Sequence, residues 1–257
     1  MIDIHNHIIW GVDDGAKTIE DSIEMAKIAS EDGIHKIVAT PHFMEDSFQV
    51  HKEKIIEKID TLNLKLKEEN IDVEILKGNE AFITVDILEK IEENKILSIN
   101  NSKYILVEFP LMNIPQNSEK IINNIMKKGY RPVIAHPERI NSIVNDPSIL
   151  IPFIEMGCIT QITSGSILGL FGEKIKKTSK EMITRNMVYI IGSDAHNTRS
   201  RKPKISRAYS KISELTDEKN VKEMKRRSVQ IIFDKDLEYI EPEVKMKKKS
   251  FFSKFFK

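Results

Sequence analysis

Five of the seven histidines fall in short polar motifs, and the chemistry those motifs permit is metal binding. His5 and His7 form His-x-His, His42 closes Ala-Thr-Pro-His, His136 lies in Ala-His-Pro-Glu-Arg, and His196 closes Asp194-Ala-His. Glu80 and Glu108 each stand just beyond or at the end of an apolar run, and Asp14 sits in Asp13-Asp14-Gly15. Taken singly, each has an ordinary explanation. His-x-His at a strand end is usually structural, Asp-Asp-Gly is most often a turn, and a lone glutamate is commonly half of an ion pair. Taken together they put at least four imidazoles and four carboxylates in comparable positions, and clustered carboxylates are costly to desolvate unless cations compensate them. Imidazole and carboxylate without thiolate suit Mn²⁺, Fe²⁺, Mg²⁺ or Zn²⁺. Nine candidates (His5, His7, Asp14, His42, Glu80, Glu108, His136, Asp194 and His196) exceed what one ion needs and fit two or three. Ions about 3.5–4 Å apart can activate a water and stabilise attacking and leaving oxygens, which is the logic of phosphoryl hydrolysis.

Two arginines extend that reading. Arg139 follows His136 by three residues and Arg201 follows His196 by five, and guanidinium binds phosphate oxygens bidentately. Arg199 is a rival to Arg201 that spacing alone leaves open. A cysteine-based phosphatase is excluded. Its nucleophile needs an arginine six residues on, whereas the sixth residue after Cys158, the only cysteine, is Ser164. Cys158 reads as a small buried hydrophobe, and a single thiol fits a reducing compartment.

The elements that must carry these residues alternate. Short β-branched runs at Ile2–Ile4, Lys36–Thr40, Val73–Leu76, Tyr104–Glu108, Pro132–Ala135, Cys158–Ile162 and Val188–Ile191 are separated by segments with helical apolar spacing. Ile19, Ile23 and Ala26 form one such stripe, and Ile55, Ile59, Leu62 and Leu66 another; Thr18 with Asp21 reads as an N-cap with an acidic N3 residue. Strands alternating with helices imply parallel pairing. Seven units predict a closed or nearly closed α/β barrel, with a doubly wound open sheet as the fallback. In a parallel barrel the strand ends open on one rim, where His5, His7, His42, Glu80, Glu108, His136, Asp194 and His196 would meet. His35 and His51 fall elsewhere and read as surface or structural residues.

The length suits one large domain, expected over residues 1–240, followed by a basic Phe-rich tail over 241–257. Lysines interleave there with Phe251, Phe252, Phe255 and Phe256, a pattern that fits either a disordered tail or an interfacial segment meeting anionic lipid. Lys+Arg of 40 against Asp+Glu of 39 gives little support to a nucleic-acid partner. The N-terminus has no secretory pattern and no apolar run is long enough to span a bilayer, so a cytoplasmic protein is expected, with the inner membrane face as a possible station for the tail.

The blocks Met-Ile-Asp-Ile-His-Asn-His, Gly-Val-Asp-Asp-Gly-Ala-Lys-Thr, Ala-Thr-Pro-His, Val-Glu-Phe-Pro, Ala-His-Pro-Glu-Arg and Gly-Ser-Asp-Ala-His, in this order, resemble the polymerase and histidinol phosphatase (PHP) superfamily. More narrowly, they resemble its bacterial manganese-dependent protein-tyrosine phosphatases of capsular and exopolysaccharide clusters. The resemblance runs from Met1 to about Phe233. It implies a distorted seven-stranded (β/α) TIM-like barrel and a trinuclear Mn²⁺ site with the nine candidates as ligands. His5, His7, Glu80 and Asp194 would hold one ion, Glu80, Glu108 and His136 a second, and Asp14, His42 and His196 a third. Arg139 and Arg201 match the family's phosphate-binding arginines, although Ser200-Arg201-Lys202-Pro203 follows that pattern less closely than the other blocks. The implied substrate is the phosphotyrosine tail of a membrane-associated tyrosine kinase controlling polysaccharide assembly, attacked by a metal-bridging hydroxide. A small-molecule phosphatase of the histidinol-phosphate type, a nuclease, or a metal-stabilised regulatory subunit without activity remain the alternatives.

Overall fold

The computed structural model describes residues 1–44, 47–48 and 50–243. The described residues form nine strands, with helices between successive strands except from β2 to β3 and from β4 to β5: β1 (Ile2–Asn6), β2 (Lys36–Ala39), β3 (His42–Phe43), β4 (Glu74–Lys77), β5 (Glu80–Phe82), β6 (Tyr104–Glu108), β7 (Arg131–Ala135), β8 (Ile159–Thr163) and β9 (Ile190–Gly192). All pairings between them are parallel, in the orders β1-β2-β4 and β3-β5-β6-β7-β8-β9. A parallel strand covered on both faces must be apolar almost throughout, and every residue of β6 and of β8 is buried.

Two strands are broken at the same level. Thr40-Pro41 separates β2 from β3, and Gly78-Asn79 separates β4 from β5. Pro41 has no N–H for a ladder, so pairing stops there. Its carbonyl instead accepts from Glu80 N at 3.1 Å and Asn79 Nδ2 at 3.0 Å, which carries the register across the break. Counted as single broken strands, β2/β3 and β4/β5 bring the number of strand positions to seven. β1 also meets the end of β9. Asp194 N donates to His5 O at 2.8 Å, His7 N donates to Ala195 O at 2.9 Å, and Asn6 bridges Ala195 in parallel. The result is the expected distorted α/β barrel. The two short strands were not foreseen, because two or three residues beyond a proline or glycine are too few to show a period.

The helices lie where the apolar stripes predict. Thr18 and Asp21 form a reciprocal capping box on the helix Ile19–Glu31, which buries Ile23 and Ala26, and the helix Lys52–Glu68 buries Ile55, Ile59, Leu62 and Leu66. Among the described residues no helix is long and apolar enough to cross a membrane. Residues up to Glu243 are held to the body of the protein: Ile240 N donates to Tyr189 Oη at 2.9 Å, and Glu243 N donates to Arg185 O at 2.8 Å. The lysine- and phenylalanine-rich run 245–257 lies outside the described residues.

Candidate metal centre

His5 and His7 lie two residues apart at the end of β1, so their side chains leave the strand on one side. Each ring is held from behind. His5 Nδ1 lies 2.9 Å from Gln161 Oε1, and His7 Nδ1 lies 2.7 Å from Asp13 Oδ2. Both acceptors call for a hydrogen on Nδ1, which leaves the Nε2 lone pairs facing inward. Those two nitrogens are 3.2 Å apart. Glu80 Oε2 lies 3.2 Å from each and Asp194 Oδ1 3.5 Å from each. A cation bound by imidazole and carboxylate at about 2.0–2.2 Å in tetrahedral geometry separates its donor atoms by about 3.3–3.6 Å. The spacing of this quartet is that of a coordination shell.

Two further groups adjoin it. His42 Nδ1 lies 3.1 Å from Glu80 Oε2 and 3.7 Å from Glu108 Oε2, while His136 Nε2 lies 2.8 Å from Glu80 Oε1 and 3.6 Å from Glu108 Oε1. Asp14 Oδ1 is 3.2 Å from His196 Nε2 and 3.6 Å from His42 Nε2. Donor atoms of His7, Asp14, His42 and His196, of His5, His7, Glu80 and Asp194, and of His42, Glu80 and Glu108 converge closely enough to hold an ion. All nine residues singled out in the sequence therefore meet at the C-terminal ends of the strands. His42 and Glu80 stand on β3 and β5 rather than in loops. His35, paired with Asp72, and His51 lie away from the cluster.

Burial and charge make this arrangement expensive without cations. Glu108 is pushed up to about 8, by burial first and then by the charge of Glu80. Glu80 is buried too, yet His5, His136 and His7 around it hold its carboxyl well below the usual range. Burial draws His5 and His7 down, but the surrounding carboxylates outweigh it and raise both. His42 and His196 stay lowered, chiefly by burial. Glu80 Oε2, Glu108 Oε2 and His136 Nδ1 are buried without a hydrogen bond. Unmatched buried carboxylate oxygens such as those of Glu80 and Glu108 are what a divalent ion satisfies. Two residues of the cluster also have left-handed backbone. His136 has φ 31° and Asp194 φ 52°, and His136 is the only positive-φ residue among those described that is not Gly, Asn or Asp. Such geometry costs of order 1–3 kcal/mol and persists where surrounding contacts impose it.

The arginines stand at the edge of this cluster. Arg139 Nη1 and Arg201 Nη2 each donate to Asp194 Oδ2 at 2.6 Å, so one oxygen of Asp194 faces the imidazoles and the other faces both guanidiniums. Phe171 lies beneath them, with the guanidinium carbons of Arg139 and Arg201 at 4.7 Å and 5.9 Å from its ring centroid. Arg199 is exposed, its backbone N–H donates to Asn197 Oδ1, and among the described residues its guanidinium forms no ion pair.

Residues 1–234 match the family described as Capsular polysaccharide synthesis, CpsB/CapC. The chain belongs to the CpsB/CapC family. Among its relatives, the tyrosine-protein phosphatase YwqE of Bacillus subtilis is 41% identical over 201 residues, 78% of this chain and 79% of YwqE. The tyrosine-protein phosphatase CpsB of Streptococcus pneumoniae is 36% identical over 229 residues, 87% of this chain and 94% of CpsB. A solved structure described as one of YwqE and CpsB, unique metal-dependent tyrosine phosphatases, superposes with a TM-score of 0.92 at 35% identity, covering 95% of this chain and 98% of the other. Histidinol phosphate phosphatase of Lactococcus lactis, at 12% identity and a TM-score of 0.56, shares the fold.

In this CpsB/CapC protein the supporting groups escaped the sequence reading. Asp13 reads in the sequence as part of a turn, yet its carboxylate accepts from His7 Nδ1, from Gly15 N at 2.9 Å and from His42 N at 3.1 Å. Gln161 lies on β8, where no ligand candidate stood; a fully buried amide in Ile-Thr-Gln-Ile-Thr was the available signal. Asp3, buried, accepts from Ser193 N at 2.8 Å and Ser193 Oγ at 2.5 Å, tying β1 to the turn that carries Asp194.

Proposed function

We propose that this chain is a metal-dependent protein-tyrosine phosphatase acting through ions held by His5, His7, Asp14, His42, Glu80, Glu108, His136, Asp194 and His196. The observation that carries the reading is the double use of Asp194. One oxygen completes a quartet of converging donors, and the other holds Arg139 and Arg201 within reach of whatever those donors bind. The partition carried over from the family resemblance is His5, His7, Glu80 and Asp194 for one ion, Glu80, Glu108 and His136 for a second, and Asp14, His42 and His196 for a third; the donor groups support the first directly, while they also bring His7 to the third and His42 to Glu80 and Glu108. The donor set of imidazole and carboxylate admits Mn²⁺, Fe²⁺, Mg²⁺ or Zn²⁺, and Mn²⁺ is the choice that the family resemblance implies.

Cations bound there supply Lewis acidity toward phosphoryl oxygens and acidify a water to near neutrality. The chain's own groups do the rest. Gln161 and Asp13 fix the tautomers of His5 and His7. Arg139 and Arg201 exchange Asp194 Oδ2 for phosphoryl oxygens and offset the charge that grows in the transition state. Phe171 backs both guanidiniums, so they meet the phosphoryl group already oriented. Phenolate leaves with little need of a proton donor. No thiol takes part, because Cys158 precedes β8 at the opposite end of the strands, buried and with its thiol pushed up to about 12.

The substrate of this reading is a phosphotyrosine protein, and the phosphorylated tail of a tyrosine kinase controlling polysaccharide assembly is the candidate we put forward, a choice supported by the tyrosine-phosphatase names of the relatives. The test is hydrolysis of a phosphotyrosine and a phosphoserine peptide by metal-stripped protein, with and without Mn²⁺, beside His136→Ala. Mn²⁺-dependent release from phosphotyrosine alone, reduced by about 10²-fold or more in the variant, is expected. Equal release from both peptides removes the tyrosine assignment, and release without metal removes the site.

A further inference from the structure

Beside the ligand cluster lies a cavity of about 370 Å³, walled by the short helix and turn after β8 and by the loop after β9. Arg201 belongs to its wall, so it opens beside one of the two arginines that would hold the phosphoryl group. Its lining has two characters. Leu168, Leu170 and Phe171 offer apolar surface, the first two 38% and 49% exposed. Arg199, Lys202 and Lys204 offer charge: they are exposed, and among the described residues none of them forms an ion pair.

That charge is local. The stretch Arg199–Arg207 holds five cations and no carboxylate, in a chain whose net charge is only +1. The wall is also built rather than incidental. Asn197 Oδ1 accepts from the backbone N–H of Arg199, Ser200 and Arg201 at 2.9, 2.9 and 3.1 Å. Ser164 Oγ donates to Lys204 O at 2.7 Å, fastening one loop to the other, and Leu170 N donates to Gly165 O at 2.8 Å. A Cβ on Gly165 would meet Leu170 at 3.0 Å and Phe171 at 3.3 Å, so the apolar side closes tightly on a glycine. Free cations fixed around an apolar floor, sharing an arginine with the reacting centre, match an extended peptide that carries an acidic side chain close to its phosphotyrosine.

We propose that this cavity is a specificity subsite for a carboxylate-bearing residue of the substrate, flanking the phosphotyrosine. This rests on the phosphotyrosine reading above. The apolar floor takes the backbone and the aliphatic stem of the flanking residue, and Arg199, Lys202 and Lys204 take its charge.

The experiment measures kcat/KM with Mn²⁺ for two phosphotyrosine peptides that differ only in glutamate or glutamine beside the tyrosine. The glutamate peptide is expected to be favoured about tenfold at low ionic strength, less as salt is added. In Lys202→Glu with Lys204→Glu the ratio is expected to fall to about one or below, chiefly through KM. The glutamine peptide serves as the control for a folded, metal-loaded site. If the double variant cleaves neither peptide, Arg199→Ala carries the test, with a smaller fall in the same ratio expected. A ratio near one in the unaltered protein, or a ratio unmoved by every variant, overturns the subsite and leaves the phosphatase standing. Failure of the unaltered protein to cleave either peptide while it hydrolyses a small aryl phosphate overturns the peptide-substrate reading and the subsite with it.

Discussion

Two imidazole nitrogens facing each other at 3.2 Å repel unless a proton or a cation lies between them, and the bonds behind them prevent either ring from turning away. This is why Asp13 matters as much as the residues it supports. Asp13→Asn can accept from His7 Nδ1 but no longer carries the charge that favours that tautomer and raises the ring's basicity. The substitution should weaken Mn²⁺ affinity by about 10–100-fold, read by titration of metal-stripped protein. Glu108 shows the opposite balance. Its burial beside Glu80 is unfavourable until cations arrive. Glu108→Gln should therefore melt higher than the native protein when both are metal-free, by about 2–4 °C for each 1 kcal/mol of repulsion relieved. The same variant should gain less than the native protein when Mn²⁺ is added. A metal-free variant that melts lower would show that Glu108 is satisfied by the protein alone.

At the scale of elements, the breaks in the second and third strand positions are what bring His42 and Glu80 inward. Pro41 ends one ladder, and the two-residue steps let β3 and β5 restart with those side chains facing β1. The turn bearing Asp13 and Asp14 is pressed against β1 in the same way. A Cβ on Gly15 would stand 2.1 Å from His7 O and 2.6 Å from His7 Cβ, both parts of the rigid site. Gly15→Ala must push the turn off the strand, carrying Asp13 away from His7 and Asp14 away from His196. The expected result is Mn²⁺ affinity reduced by at least about tenfold together with a lower melting temperature. Unchanged affinity would mean that the turn does not hold the ligands in place.

Across the whole molecule, one buried core supports a rim that carries strain and charge, and Cys158 reports on that core from the far end of the strands. Its thiol is pushed from 9.0 to about 12 by burial. Because the folded value lies above the unfolded one, the neutral thiol's contribution is fully present below about pH 9 and is lost as pH rises toward 12. Stability should fall across that window, and Cys158→Ala should remove the thiol's part of the slope in denaturant titrations. In the native state at pH 8, a disulfide reagent should label Cys158 only as fast as the protein opens. Labelling independent of denaturant would contradict that burial.

Donor types, their order along the chain and the alternation of strands with helices were all legible in the residues. Each is a local property: a β-branched run, a stripe at helical spacing or an imidazole beside a proline is written in near neighbours. Strand order then brought the candidate ligands to one rim, because parallel strands end together. The tertiary structure alone decided that His5 turns its back on Gln161, 156 positions away, and that Asp3 pins Ser193, 190 positions away. It also decided that Arg201, and not Arg199, reaches Asp194, and that β2 and β4 break and resume. These depend on which lone pair meets which hydrogen between strands far apart in the chain, and only the packing of those strands side by side sets that register.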